Sequence, residues 1–122
     1  MFTQRRYYLT VLAFSFFILS HQAEELRFRR FTKEQGLIAN KCNQVLRDSR
    51  GFVWVFTNEG ISKYNGYEFN NFTHDPKDKT TIPATENFTN PIEDTEGNIW
   101  AITTENSLVC YHRNKDEFSH HF

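Results

Sequence analysis

The sequence predicts an all-β fold, a partial β-propeller of about two four-stranded blades preceded by an N-terminal signal helix. Three observations carry this prediction. A block that starts at Asp48 returns in pattern at Asp94; short apolar runs stand between Gly, Asn and Asp turn signals; and an uncharged apolar stretch follows a cationic start.

That start is Gln4, Arg5 and Arg6, after which Tyr7 to Ser20 runs YYLTVLAFSFFILS without a charged residue. An apolar core of this length suits a signal peptide and falls short of the roughly 20 residues that a bilayer-spanning helix needs. Residues 1–23 are therefore expected to be a signal peptide cleaved near Ala23, and the chain to be exported and periplasmic. His21 stands where a small residue is preferred before the cleavage site, so a membrane-anchored form with a periplasmic domain is the alternative. Acids and bases balance to a net charge of −1, which points to no nucleic-acid partner. Membrane contact is expected only through an uncleaved signal segment.

The repeat follows. DSRGFVWVFT, from Asp48 to Thr57, returns as DTEGNIWAIT, from Asp94 to Thr103. The offset from 48 to 94 lies within the about 40–50 residues of propeller blades. It holds again from Phe72 to Phe118, and one inserted residue in between makes Tyr64 match Tyr111. Asp48 and Gly51, like Asp94 and Gly97, take the first and fourth places of a type I turn. An Asp side chain also bonds the backbone of its own turn. In the strand that follows, Phe52, Trp54 and Phe56 share one face and Val53 and Val55 the other; Trp100 and Ile102 lie opposite Ile99 and Ala101. A strand apolar on both faces belongs between stacked sheets. Thr57 to Gly60 turns the chain, with Asn106 in the place of Gly60 in the second copy, since Asn also enters the left-handed region. Asn65-Gly66 is a hairpin signal, replaced by a longer turn from His112 to Asp116. One blade thus reads as strands around Gln44–Arg47, Phe52–Phe56, Ile61–Tyr64 and Tyr67–Phe72.

The chain divides accordingly. Residues 1–23 are the signal peptide, 24–43 a lead-in with room for a closing strand, 44–73 blade one, 74–90 the inter-blade loop, and 91–122 an incomplete or divergent blade two. Pro91 is the reason for that last reading, because proline deletes a ladder donor.

The pattern Gly36-Leu37, Asn40, Asp48-x-x-Gly51-Phe52-x-Trp54-x-x-Thr57-x-x-Gly60-Ile61-x-x-Tyr64-x-Gly66, then Phe69, Phe72 and His74-Asp75-Pro76, resembles the two-component regulator propeller repeat. That family forms the N-terminal periplasmic sensor region of Bacteroidetes hybrid two-component histidine kinases. The resemblance runs from Phe31 to Phe118; Glu86 departs from it, standing where the family has Asn. It implies a parent receptor with paired propellers, an immunoglobulin-like domain, a membrane helix, a histidine kinase, and receiver and DNA-binding domains. It also implies signal transduction in response to oligosaccharides from polysaccharide breakdown. This sequence carries no kinase His box or nucleotide-binding glycines.

The expected function is thus that of an N-terminal fragment of a sensor module, not an enzyme. A fragment of a secreted propeller enzyme acting on polysaccharides and a truncated non-functional gene product are the alternatives. No catalytic residue and no cofactor are expected. Asp48 and Asp94, at matching places of adjacent blades, lie a blade apart and not as a working pair. No metal is expected at His112, His120 and His121, which lack companion cysteines. Trp54 and Trp100 read as core, and Asp48, Gly51, Trp54, Thr57, Gly60, Asp94, Gly97, Trp100 and Thr103 as structural repeat residues. The polar loop after blade one reads first as a plain connector; as the alternative, it is where ligand contacts would fall, at His74, Asp75 and Lys77. Cys42 and Cys110 sit at non-equivalent positions and read as small buried hydrophobes, with a disulfide as the alternative. The partners are the remaining blades of a longer chain or a homodimer partner, with an oligosaccharide as ligand. Two blades alone leave an apolar face and open strand edges to be covered.

Overall fold

The computed structural model describes residues 28–85 and 87–121; the signal-peptide reading of 1–23, the first residues of the lead-in and Glu86 lie outside them. Within the described residues the all-β expectation holds. β1 (Cys42–Arg47), β2 (Val53–Thr57), β3 (Ile61–Tyr64) and β4 (Phe69–Phe72) form one antiparallel sheet. β5 (Phe88–Glu93), β6 (Ile99–Thr103), β7 (Leu108–His112) and β8 (Glu117–His121) form a second. Both are meanders in which sequence neighbours pair.

The two sheets stack face to face, because each turns an aromatic side toward the other. Trp54, Phe56 and Ile61 from the first sheet meet Phe88, Ile99, Ala101, Val109, Tyr111 and Phe118 from the second. The rings interlock: Trp54 lies 4.7 Å from Tyr111, Phe56 5.8 Å from Phe88 and Phe72 5.1 Å from Phe118, centroid to centroid. Each large side chain buried here contributes about 1.5–3 kcal/mol.

Several sequence expectations change. The second sheet is not incomplete, for its four strands pair in the same order as those of the first; it diverges in a bulge, an inserted residue and a longer last turn. It begins at Phe88, inside the stretch read as loop to 90, because the Phe88 ring is drawn into the inter-sheet core. Pro91 is accommodated at a register shift between Thr89 and Ile92, with Asn90 at a left-handed φ of 50°. It therefore sits in a bulge of an edge strand, where its missing N–H removes no required ladder bond. Asn106 is not the counterpart of Gly60. Thr57 N–H bonds the Gly60 carbonyl, whereas Thr103 N–H bonds that of Ser107, so Ser107 matches Gly60 and Asn106 is the inserted residue, at φ 59°. Phe72 and Phe118 are not counterparts either. In the ladders Ile61 pairs with Phe72 and Leu108 with His121, while Tyr64 pairs with Phe69 and Tyr111 with Phe118. The longer turn after β7 slides β8 along, so His121 takes the place of Phe72.

The lead-in forms no closing strand among its described residues. A single 3-10 turn, Lys33–Gln35, is held by a capping box from Thr32. The segment lies across the outer face of the first sheet: Ile38 N–H donates to Ser62 Oγ at 3.0 Å, Asn71 Nδ2 donates to the Gly36 carbonyl at 2.9 Å, and Phe31 packs on Tyr64 and Phe69. Gly60 sits under it with no space for a side chain, since an added Cβ would meet the Phe72 carbonyl oxygen and the Ile38 side chain. The outer face of the second sheet has no such cover among the described residues; Ile92 is 58% and Leu108 42% exposed there.

Candidate functional site

The turn at Asp48 does more than its type requires. The carboxylate accepts the Arg50 and Phe52 amides, each at 3.0 Å, the usual bonds of an Asp that opens a turn. It also accepts Trp54 Nε1 at 2.9 Å and, from the facing sheet, Arg113 Nη2 at 2.7 Å. Asp94 repeats the local part, accepting the Glu96 and Asn98 amides at 2.9 Å and Trp100 Nε1 at 2.8 Å. The repeated Asp and Trp are therefore hydrogen-bonded partners, a link that the turn and strand readings treated separately. Their equal spacing in both copies was the signal.

Arg113 is the residue that sequence reasoning missed. It leaves the turn after β7, donates from Nε to the Gly97 carbonyl at 2.8 Å and reaches across to Asp48, with Glu93 Oε1 at 3.6 Å. Glu93 in turn accepts the amide and hydroxyl of Ser49, at 2.7 and 2.6 Å. Burial pushes the Asp48 carboxyl up, but the Trp54 and Phe52 hydrogen bonds, the Arg113 charge and the Arg50 amide outweigh it and hold the group below the usual carboxylate range. This is an inter-sheet buckle whose acceptors are already occupied. Lys63, also missed, lies over the rings of Phe52, Trp54 and Tyr111 at 4.4, 5.2 and 5.5 Å, and burial holds its ammonium below the usual lysine range.

At the opposite rim a groove of about 400 Å³ opens between the β2–β3 turn and the connector of the two sheets. Glu59 and Glu105, from matching turns of the two copies, line it together with Asn58, His74, Ile82 and Thr85. The His74 ring is oriented by a 2.8 Å contact from Nδ1 to the Ile82 carbonyl. Of the loop residues named as alternative ligand contacts, His74 alone reaches this groove. Asp75 and Lys77 are joined within their own turn, through the Lys77 amide and Asp75 Oδ1 at 2.9 Å. Carboxylates, an imidazole and an amide beside an apolar wall can accept and donate hydrogen bonds to a hydroxyl-rich ligand. No three His, Cys, Asp or Glu side chains converge as metal ligands among the described residues. His112 and His121 both meet the Ser119 hydroxyl, at 2.7 and 3.0 Å, while His120 contacts the Thr81 carbonyl.

Trp54 is buried as core, whereas Trp100 is half-buried on the open face beside His121. Cys42 and Cys110 are both free thiols. Cys42 is exposed, contrary to its reading as a buried hydrophobe, because β1 is an edge strand. Burial, with help from Asp94, pushes the Cys110 thiol up to about 11, so it stays protonated at neutral pH. At mildly alkaline pH a chromogenic disulfide reagent is expected to titrate Cys42 readily and Cys110 only after unfolding. Fast reaction of both thiols in the native protein would contradict the closed packing around β7.

No protein-family model matches the chain. Over 75 residues, 60% of this chain, it is 32% identical to histidine kinase P4 of Formosa agariphila. The crystal structure of the extracellular domain of a hybrid two-component system from B. thetaiotaomicron matches 75% of the chain with a TM-score of 0.64 and 26% identity. The chain is thus similar to the extracellular part of two-component sensors. It spans 6% of the kinase and 13% of the crystallised domain. No helix among the described residues is long and apolar enough to cross a membrane.

Proposed function

We propose that this chain is the exported beginning of a propeller sensor module of a hybrid two-component regulator, with an oligosaccharide as its ligand. The observation that carries this reading is the joint likeness, in sequence to a histidine kinase and in structure to an extracellular two-component domain. The two stacked four-stranded meanders support the propeller reading, since blades of this kind pack aromatic face on aromatic face. Arg5, Arg6 and the uncharged run from Tyr7 to Ser20 support export to the periplasm. The rim groove supports a polar, hydroxylated ligand, because Glu59 and Glu105 line it and each keeps a carboxylate oxygen, beyond those held by Lys33 and Thr85, that can accept from a hydroxyl.

Two measurements test it. Alkaline phosphatase, active only after export, is expected to be active when fused behind Phe122 and inactive when residues 1–23 are deleted. Oligosaccharides of neutral, acidic and sulfated classes are then screened by calorimetry, and Glu105→Ala is expected to weaken the best binder about tenfold, the scale of a lost hydrogen bond to a charged group. An inactive fusion removes the sensor location, and silence across all three glycan classes removes the oligosaccharide.

A further inference from the structure

The two copies differ in one respect that the repeat makes measurable. On the first sheet, Trp54 is 1% exposed and Asp48 is matched by the guanidinium of Arg113, which the following sheet supplies. On the second sheet, Asp94 makes the same bonds to its turn and to Trp100, but no guanidinium reaches it among the described residues. The ladder registers give the remaining counterparts. Leu46 pairs with Trp54 as Ile92 pairs with Trp100, and Phe56 pairs with Ile61 as Ile102 pairs with Leu108. Leu46 and Ile61 pack in the inter-sheet core, Ile61 at 1% exposure, whereas Ile92 and Leu108 stand open at 58% and 42%. The second sheet therefore repeats, uncovered, the face that the first sheet presents to it.

We infer that, in the third sheet of the same repeat which the propeller reading sets on this face, the turn between the third and fourth strands places an arginine on Asp94 as Arg113 is placed on Asp48. The inference rests on the propeller reading and adds its recognition chemistry. The occupant follows from charge and shape together: the apolar face selects an aromatic-lined sheet, and the carboxylate with two amide donors and an indole N–H selects a cation with fork geometry. The first sheet needs no such arginine, and its tight Asn65–Gly66 turn carries none, because its own outer face meets the lead-in.

The test appends a second copy of residues 74–121 to the full chain, so that the appended Arg113 faces Asp94. Trp100 emission is expected to shift to the blue and to resist acrylamide, read in a Trp54→Phe background with the appended tryptophan also changed to phenylalanine. A double-mutant cycle of Asp94→Asn against the appended Arg113→Gln is expected to give a coupling of about tenfold in the unfolding equilibrium, comparable with Asp48→Asn against the native Arg113→Gln. Should the extended chain lack a cooperative transition, a bifunctional thiol reagent with a spacer as long as an arginine side chain, applied to Asp94→Cys and the appended Arg113→Cys with Cys42 and Cys110 replaced by serine, reads the same proximity, and its failure to cross-link them overturns the proposal. Buried Trp100 without coupling at Asp94 leaves the propeller reading intact and overturns the arginine. Unprotected Trp100 overturns both. Dimers of the unextended chain that survive Asp94→Asn but dissociate on Trp100→Asp would assign the face to a second copy instead and also overturn it.

Discussion

Replacing Asp48 by alanine is expected to lower the unfolding free energy by about 3–5 kcal/mol, the range for breaking one side of a buried ion pair. The side chain is fully buried and the Arg113 side chain only 9% exposed, so removing the carboxylate leaves a guanidinium that water does not reach well with only the looser Glu93 contact at 3.6 Å to balance its charge. It also leaves Trp54 Nε1 without its acceptor and two turn amides without theirs. Chemical denaturation followed by circular dichroism measures the loss, and Asp94→Ala is the internal control, since that carboxylate meets no cation among the described residues. Equal losses at the two positions would show that the turn, and not the inter-sheet buckle, is what Asp48 stabilises. The same carboxyl sets an acid limb. Its folded pKa lies below the unfolded value of about 3.9, so its contribution is fully present above that pH and is lost as pH falls through the folded value. Asp48→Asn is expected to flatten stability against pH in that window.

Trp54→Ala is expected to cost about 3–5 kcal/mol, as large aromatic truncations in closed cores do. The ring is 1% exposed, stacked on Phe72 at 6.0 Å, tilted against Tyr111 at 4.7 Å and covered by Lys63, so the cavity left behind has walls from both sheets and cannot collapse. Trp100→Ala, in the repeat-equivalent place, is expected to cost less than about 2 kcal/mol, because that ring is only partly buried and lacks the second wall that the facing sheet gives Trp54. Thermal unfolding of the two variants side by side measures the asymmetry. A Trp100 variant as damaged as the Trp54 variant would mean that the outer face of the second sheet is already covered.

Much of this was legible in the residues. The Asp-x-x-Gly turns and the alternation after them placed β2 and β6 to within a residue, since turn chemistry and side-chain alternation act over four or five positions. Counterparts beyond an insertion were not legible. Phe72 and Phe118 share an offset by coincidence, and only the ladder shows that His121 occupies the place of Phe72. Arg113 left no signal, because its acceptor is 65 positions away and the first copy has glycine in the corresponding turn. Glu59 and Glu105 stood at matching places of Thr57-x-Glu59 and Thr103-x-Glu105, and that recurrence was the available clue to the groove.

By itself the sequence determined that the described chain would be a pair of short-stranded antiparallel meanders, and which residues would open each turn, because those preferences are local. Which tryptophan is dry, which carboxylate meets a guanidinium and which strand face stays open were decided only when one sheet stacked on the other. Burial and charge pairing are properties of groups that the chain brings together from far apart, and equivalent positions of two repeats acquire different environments according to what stands beside them.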